Sequence, residues 1–224
     1  KDAEVLANAT AQGLVCLGKT HMSELAFSGL GLNPVTATPA CINDAAAVAG
    51  GSSSGAAASI ACDLAAGAIG SDTGGSVRIP AAWNDLVGLK TTAGRVSVQG
   101  VVPLCATFDT VGPLSKTVED AALLLAALEG RTPADLTASS LRGKRLGVLQ
   151  TVAFDELREA PALGFETALA KVIKAGAMVE DIEIEAVSKA MPLSPILFAS
   201  EAYGTWKTVI EAQPAVMFEE ILNR

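Results

Sequence analysis

Apolar and polar residues follow three different rhythms along this chain, and each predicts a different kind of element. In DAEVLANATAQ (2–12), Val5, Leu6 and Ala9 recur at helical spacing and Gly13 follows as a stop. The unbroken apolar run LVCL (14–17) predicts a short buried strand. Residues 29–51 mix Gly, Pro, Asn, Thr and Ala without a period, which predicts a long surface loop. The most apolar stretch, AAASIACDLAAGAIG (56–70), predicts a buried helix over about 54–66, packed closely through its small side chains, with AIGS leading into a turn. VRIPAAW (77–83) predicts a short helix or turn, and LVGLK (86–90) another buried strand.

The later elements are marked more strongly. Thr117 and Asp120 have capping-box spacing ahead of the apolar helix AALLLAALE, which Gly130 closes. RTPADLTASS (131–140) reads as a linker-like loop and RLGVL (145–149) as a strand. Phe165, Leu169, Val172 and Ile173 share one helix face that ends near Gly176, and Ile182 and Ile184 alternate with acids as in a half-exposed strand. Strands and helices alternate without an internal repeat. The expected class is α/β, with a mixed, largely parallel central sheet flanked by helices. The 224 residues accommodate one large domain or two small ones.

Composition removes several functions. A formal charge of −8 and the lack of any Lys/Arg run argue against direct nucleic-acid binding. The stretch 56–70 is too short to span a bilayer and contains Asp63, so no membrane association is expected. Cys16, Cys41, Cys62 and Cys105 are widely spaced and form no CxxC; without a secretory signal they predict four reduced, mostly buried thiols and a cytoplasmic location. No cofactor is expected, and a single histidine excludes a multi-histidine metal site.

Three motifs carry candidate chemistry. GLVCLGKT (13–20) matches the phosphate-loop pattern letter for letter, but the run before Gly13 is helical and the expected strand falls inside the variable positions. A strand edge with a turn is the better reading. His21, the only histidine, would have to serve any Ser-His-Asp arrangement, and a lone histidine beside a turn is more often an ordinary residue. The third motif is a pair of clusters, GGSSSG (50–55) and SDTGGS (71–76). As flexible linkers they would extend into repeats, whereas both are set between apolar segments. Glycines around a serine admit close approach of a ligand. Successive N–H groups in TGGS could converge on one oxygen and stabilise developing negative charge.

At these residues the sequence resembles the amidase signature family of serine hydrolases. GKTHMSELAFSG, GGSSSGAAASIA, GAIGSDTGGSVRIPAA, LVGLKTTAGRVS, FDTVGPLSKTVEDAALLLAAL and RLGVLQ follow one another in family order, and the resemblance covers essentially the whole chain as one partial domain, 1–224. It implies a Ser–cis-Ser–Lys triad, which explains serine clusters without a histidine base. Ser76 falls on the nucleophile and Ser52 on the bridging serine that follows a cis peptide. Backbone N–H groups of Thr73, Gly74, Gly75 and Ser76 fall on the oxyanion hole, with Ser53, Asp72 and Arg78 in support. A neutral lysine would take the Ser76 proton through Ser52 and return it to the leaving nitrogen.

The family's lysine belongs to a KD block well upstream of GKT. Lys19 is the GKT lysine, and Lys1-Asp2 runs straight into a helix that should come later. The expectation is therefore a fold incomplete at both ends, with the lysine upstream of Lys1 and a C-terminal portion beyond this chain. Ser54 stands where many members have glycine, Asn84-Asp85 where Cys-Gly is common, and Thr91 where proline often follows GLK. The resemblance implies an amide hydrolase that cleaves a non-peptide carbon–nitrogen bond of a small-molecule amide through an acyl-enzyme. The glutaminase-type component of a tRNA-dependent amidotransferase, working with a partner subunit, is the alternative. A truncated non-catalytic member is the third reading. A homodimer is compatible with all three.

Overall fold

Helix α1 (Glu4–Ala11) forms where the helical spacing places it, and buries Val5 and Ala9. After Gly13 the computed structural model, which describes all 224 residues, departs from the expected strand. Residues 14–17 have no regular structure and pair with no other strand, leaving Val15 80% and Leu17 74% exposed. An apolar run specifies hydrophobicity, but a strand also needs a hydrogen-bonding neighbour. The GKT segment that follows is neither strand edge nor helix start.

The expected long loop contains a small antiparallel hairpin, β1 (Ala40–Cys41) and β2 (Asp44–Val48). Helix α2 (Ser54–Ala61) then begins inside the first serine cluster and buries Ala56, Ala57 and Ile60. It stops well before residue 66. Leu64 N–H bonds the Ser59 carbonyl at 2.8 Å, Asp63 N–H bonds that of Ile60 at 3.2 Å, and Asp63 lies at φ 59°. This is a Schellman termination with aspartate at the left-handed position. The rest of the apolar stretch becomes strand β3 (Ala68–Asp72).

Helix α3 (Arg78–Trp83) follows the second cluster, then the two-residue strand β4 (Val87–Gly88) and the wholly buried strand β5 (Thr110–Ser115). The sheet order is β3–β5–β4 and both pairings are antiparallel, with Asp72 opposite Thr110 and Val87 opposite Ser115. Helix α4 (Val118–Glu129) has the expected caps: Thr117 Oγ1 accepts the Asp120 N–H at 3.0 Å, and Gly130 takes the left-handed conformation. The Asp120 carboxylate accepts the Thr117 hydroxyl at 2.7 Å instead of reaching back to the backbone.

The chain makes two compact units, residues 1–134 with 198–224, and residues 135–197. The second unit holds β6 (Arg145–Leu149), α5 (Glu159–Lys174), β7 (Met178–Ile182) and α6 (Glu185–Ala190). Its two strands are parallel, joined through α5. Ile184, expected in a strand, instead immediately precedes α6. The class is thus mixed α/β as expected, while the parallel direction is confined to β6–β7 and the three-stranded sheet is antiparallel. In β6–β7 the α5 crossover supplies the long connection that a parallel pair requires, whereas β5 lies between β3 and β4.

Helix α7 (Ser194–Ala212) leads back into the first unit, and α8 (Glu219–Leu222) closes the chain. Three apolar clusters build that unit: Val5, Ala9, Val96, Val111 and Leu128 between α1, α4 and β5; Ala56, Ala57, Val77, Ala81 and Leu114 under α2 and α3; and Leu104, Cys105 and Ala202, with Phe27 and Phe198 packed against them. All four cysteines are free, but only Cys105 is buried; Cys16 and Cys62 are exposed, because the strand and helix turn expected to cover them do not form. No helix is long and apolar enough to cross a membrane.

Candidate active site

Both serine clusters sit where an element starts, and the packing of α2 against β3 brings them together. The first cluster precedes α2 and the second links β3 to α3. Ser53 N–H donates to the Ser76 carbonyl at 3.2 Å, and Ser53 Oγ lies 3.4 Å from the Ser71 carbonyl oxygen. On its other side, a Cβ on Gly51 would stand 2.5 Å from the Gly31 nitrogen, so only glycine lets the first cluster pass this close to the preceding loop.

The peptide bond between Gly51 and Ser52 is cis. Ser52 is fully buried; its carbonyl accepts N–H groups from Ser23 at 3.1 Å and Ser54 at 2.9 Å. Its hydroxyl is the one buried side-chain polar atom in the chain without a hydrogen-bond partner. The neighbouring Ser54 hydroxyl, equally buried, donates to the His21 carbonyl at 3.3 Å. His21 itself is exposed and meets this region through its backbone alone.

Asp72 organises the second cluster. Its carboxylate is wholly buried and accepts from Gly75 N–H at 2.8 Å, Val77 N–H at 3.1 Å and Arg78 N–H at 3.3 Å. The Arg78 guanidinium grips it with Nε at 3.0 Å and Nη2 at 2.9 Å. Burial alone would raise the Asp72 pKa, but Arg78 and the backbone N–H groups outweigh it and hold the carboxyl below its ordinary value. Asp72 thereby wraps residues 73–78 into a tight turn with half-buried Ser76 inside it.

One of the four expected oxyanion-hole N–H groups is engaged within the turn. Gly75 N–H is committed to Asp72, whereas the N–H groups of Thr73, Gly74 and Ser76 have no protein acceptor.

Asp109 was not anticipated. Its carboxylate accepts the Thr73 hydroxyl at 2.5 Å, Leu104 N–H at 2.9 Å and Cys105 N–H at 3.1 Å. Next to it, Thr110 Oγ1 donates to the Asp72 carbonyl at 2.6 Å. The sequence signals for Asp109 are its place in the block that opens FDTVGPLS and a carboxylate standing directly before the β-branched pair Thr110-Val111. His/Cys/Asp/Glu groupings fit to hold a metal ion are absent.

The sequence matches the amidase family over residues 1–223. The chain belongs to that family. Among curated amidase-family relatives, a glutamyl-tRNA(Gln) amidotransferase subunit of Cereibacter sphaeroides is 35% identical over 90% of this chain and 44% of its own length. A solved amidase superposes with a TM-score of 0.89 at 28% identity, over 99% of this chain and 50% of that one. The peptide amidase of Stenotrophomonas maltophilia superposes at 0.75 with 31% identity, over 99% of this chain and 54% of its own. The chain thus spans about half the length of the amidases it matches.

Proposed function

We propose that these residues belong to an amide hydrolase in which Ser76 is the nucleophile and Ser52 relays its proton. The single observation that carries this reading is the Ser52 hydroxyl, wholly buried yet unpartnered. Leaving a buried hydroxyl without a partner costs roughly 1–3 kcal/mol. A group retained at that cost, on the strand-to-helix turn that touches the Ser76 peptide, fits a proton carrier awaiting its base.

The base is a neutral lysine amine from outside residues 1–224, consistent with the share of the family's length that this chain covers. Ser76 Oγ attacks the amide carbonyl while its proton passes to Ser52 and on to the amine. The oxygen of the tetrahedral intermediate takes up the open N–H groups of Thr73, Gly74 and Ser76. The proton then returns to the leaving nitrogen, and water hydrolyses the acyl-enzyme. The substrate is a small linear amide, cleaved at a non-peptide carbon–nitrogen bond.

A second reading has its own support in the glutamyl-tRNA(Gln) amidotransferase relative at 35% identity. Under it the same chemistry releases ammonia from glutamine for a partner protein. Ammonia release from glutamine and from simple acyl amides, with the native full-length gene product, separates the two. Ser76→Ala abolishes turnover in either case. Persistent turnover in that variant refutes Ser76 as nucleophile, and an inactive wild type on every amide favours a non-catalytic member.

A further inference from the structure

We propose that Asp109 is a positioning residue for the oxyanion-binding side of the Ser76 loop, acting through the Thr73 hydroxyl; the role rests on the reading of Ser76 as nucleophile. The loop is held from two sides. Asp72 fixes its later half through the N–H groups of Gly75, Val77 and Arg78. It makes no bond to Thr73 or Gly74. That first half carries two of the three open N–H groups, and its polar side-chain anchor is the bond from Thr73 Oγ1 to Asp109.

Asp109 can serve as an anchor because it is itself immobilised. Leu104 N–H and Cys105 N–H donate to it, and no Lys or Arg pairs with it. Cys105 and Leu104 are buried in the cluster that includes Ala202 and packs against Phe198. The Phe198 ring meets the Phe108 ring edge-on at 5.3 Å, and a Cβ on Gly74 would stand 3.0 Å from Phe198. The segment 104–109 therefore supports both exposed-amide residues, Thr73 by a hydrogen bond and Gly74 by contact through Phe198. The carboxylate takes the Thr73 hydroxyl and the N–H groups of Leu104 and Cys105, not the N–H groups of Thr73 or Gly74, so those two donors stay open.

Thr73→Val tests the link without disturbing the rest, since valine keeps the shape and the amide while removing the donor. The Asp109 bonds to Leu104 and Cys105 remain. The readout is phosphonylation of Ser76 by a fluorophosphonate in the native full-length gene product. The Ser76 Oγ–P bond forms, the P–F bond breaks, fluoride departs, and the serine proton passes to the Ser52 relay.

The expected result is a fall in the maximal labelling rate on the order of 10²-fold, the scale of an ångström-size misplacement at a reacting centre. The probe's half-saturating concentration stays at the wild-type value, the variant remains folded at the assay temperature although the lost hydrogen bond lowers its melting temperature, and Thr73→Ser restores the rate. Asp109→Asn sets a donor against the N–H groups and lowers the rate in the same way; Thr73→Val stands as the test if that variant fails to fold. Labelling of Thr73→Val at the wild-type rate, or a loss that appears only in half-saturation or tracks unfolding, overturns the positioning role alone. A wild type that does not label at Ser76 overturns the nucleophile reading and this role with it.

Discussion

The unpartnered hydroxyl makes a sign prediction about stability that an ordinary buried serine would not. Ser52→Ala in the 224-residue chain removes a buried polar atom with nothing to bond to. The gain is the avoided desolvation cost, roughly 1–3 kcal/mol. Against it stands a small void: about 10 Å³ at 24 cal/mol per Å³ costs about 0.2 kcal/mol. The variant is expected to be more stable by about 1 kcal/mol. Ser54→Ala, two residues on and just as buried, deletes a hydroxyl that donates to His21 O at 3.3 Å. It should lose about 0.5–1 kcal/mol. Urea unfolding followed by circular dichroism reads both, as shifts of midpoint in opposite directions at unchanged slope. In the native full-length gene product, where the proposed lysine amine bonds Ser52, the gain disappears while turnover is lost. If Ser52→Ala destabilises the 224-residue chain as Ser54→Ala does, the hydroxyl has a partner there and the reasoning from an orphaned proton carrier fails.

Three further outcomes follow from the same geometry. Arg78→Gln leaves the wholly buried Asp72 carboxylate on backbone N–H groups alone and should cost about 2 kcal/mol, below the 3–5 typical of buried pairs because the guanidinium is half exposed; equal denaturation midpoints for variant and wild type would contradict it. Because the folded pKa of Asp72 lies below its ordinary value of 3.8, its contribution is complete above that value and lost as pH falls through the depressed one. Acid titration of the wild type should therefore show a steeper loss of stability below about pH 4 than Asp72→Asn. Burial, with the Glu201 carboxylate nearby, pushes the Cys105 thiol up to about 11, so a thiol reagent at neutral pH should modify exposed Cys16 and Cys62 at once and Cys105 only on unfolding; mass spectrometry of the labelled peptides decides.

Where the code is local, the sequence determined the outcome. Helices α1, α4 and α5 end as their glycines predict, at Gly13, Gly130 and Gly176, each in a left-handed turn. Thr117 caps α4, and RLGVL becomes β6 residue for residue. The two glycine–serine clusters stood out as a candidate site because short Gly/Ser strings set between apolar elements lack the repeats of a spacer. Helix α2 escaped this code because aspartate, not glycine, occupies its left-handed stop, a conformation few side chains adopt and no composition announces.

Only the tertiary structure decided what depends on a neighbour. Residues 14–17 have the apolarity of a strand and no strand to pair with. The direction of β3 and β5 was set by which chains met in the sheet, not by any residue in them. The partner of Asp72 is Arg78, six residues on and among the supporting residues that the family resemblance implies, but that of Thr73 lies 36 residues away on Asp109. A sequence records each group's donors and acceptors. Whether a buried hydroxyl finds one, as Ser54 does, or lacks one, as Ser52 does, is fixed by folding alone.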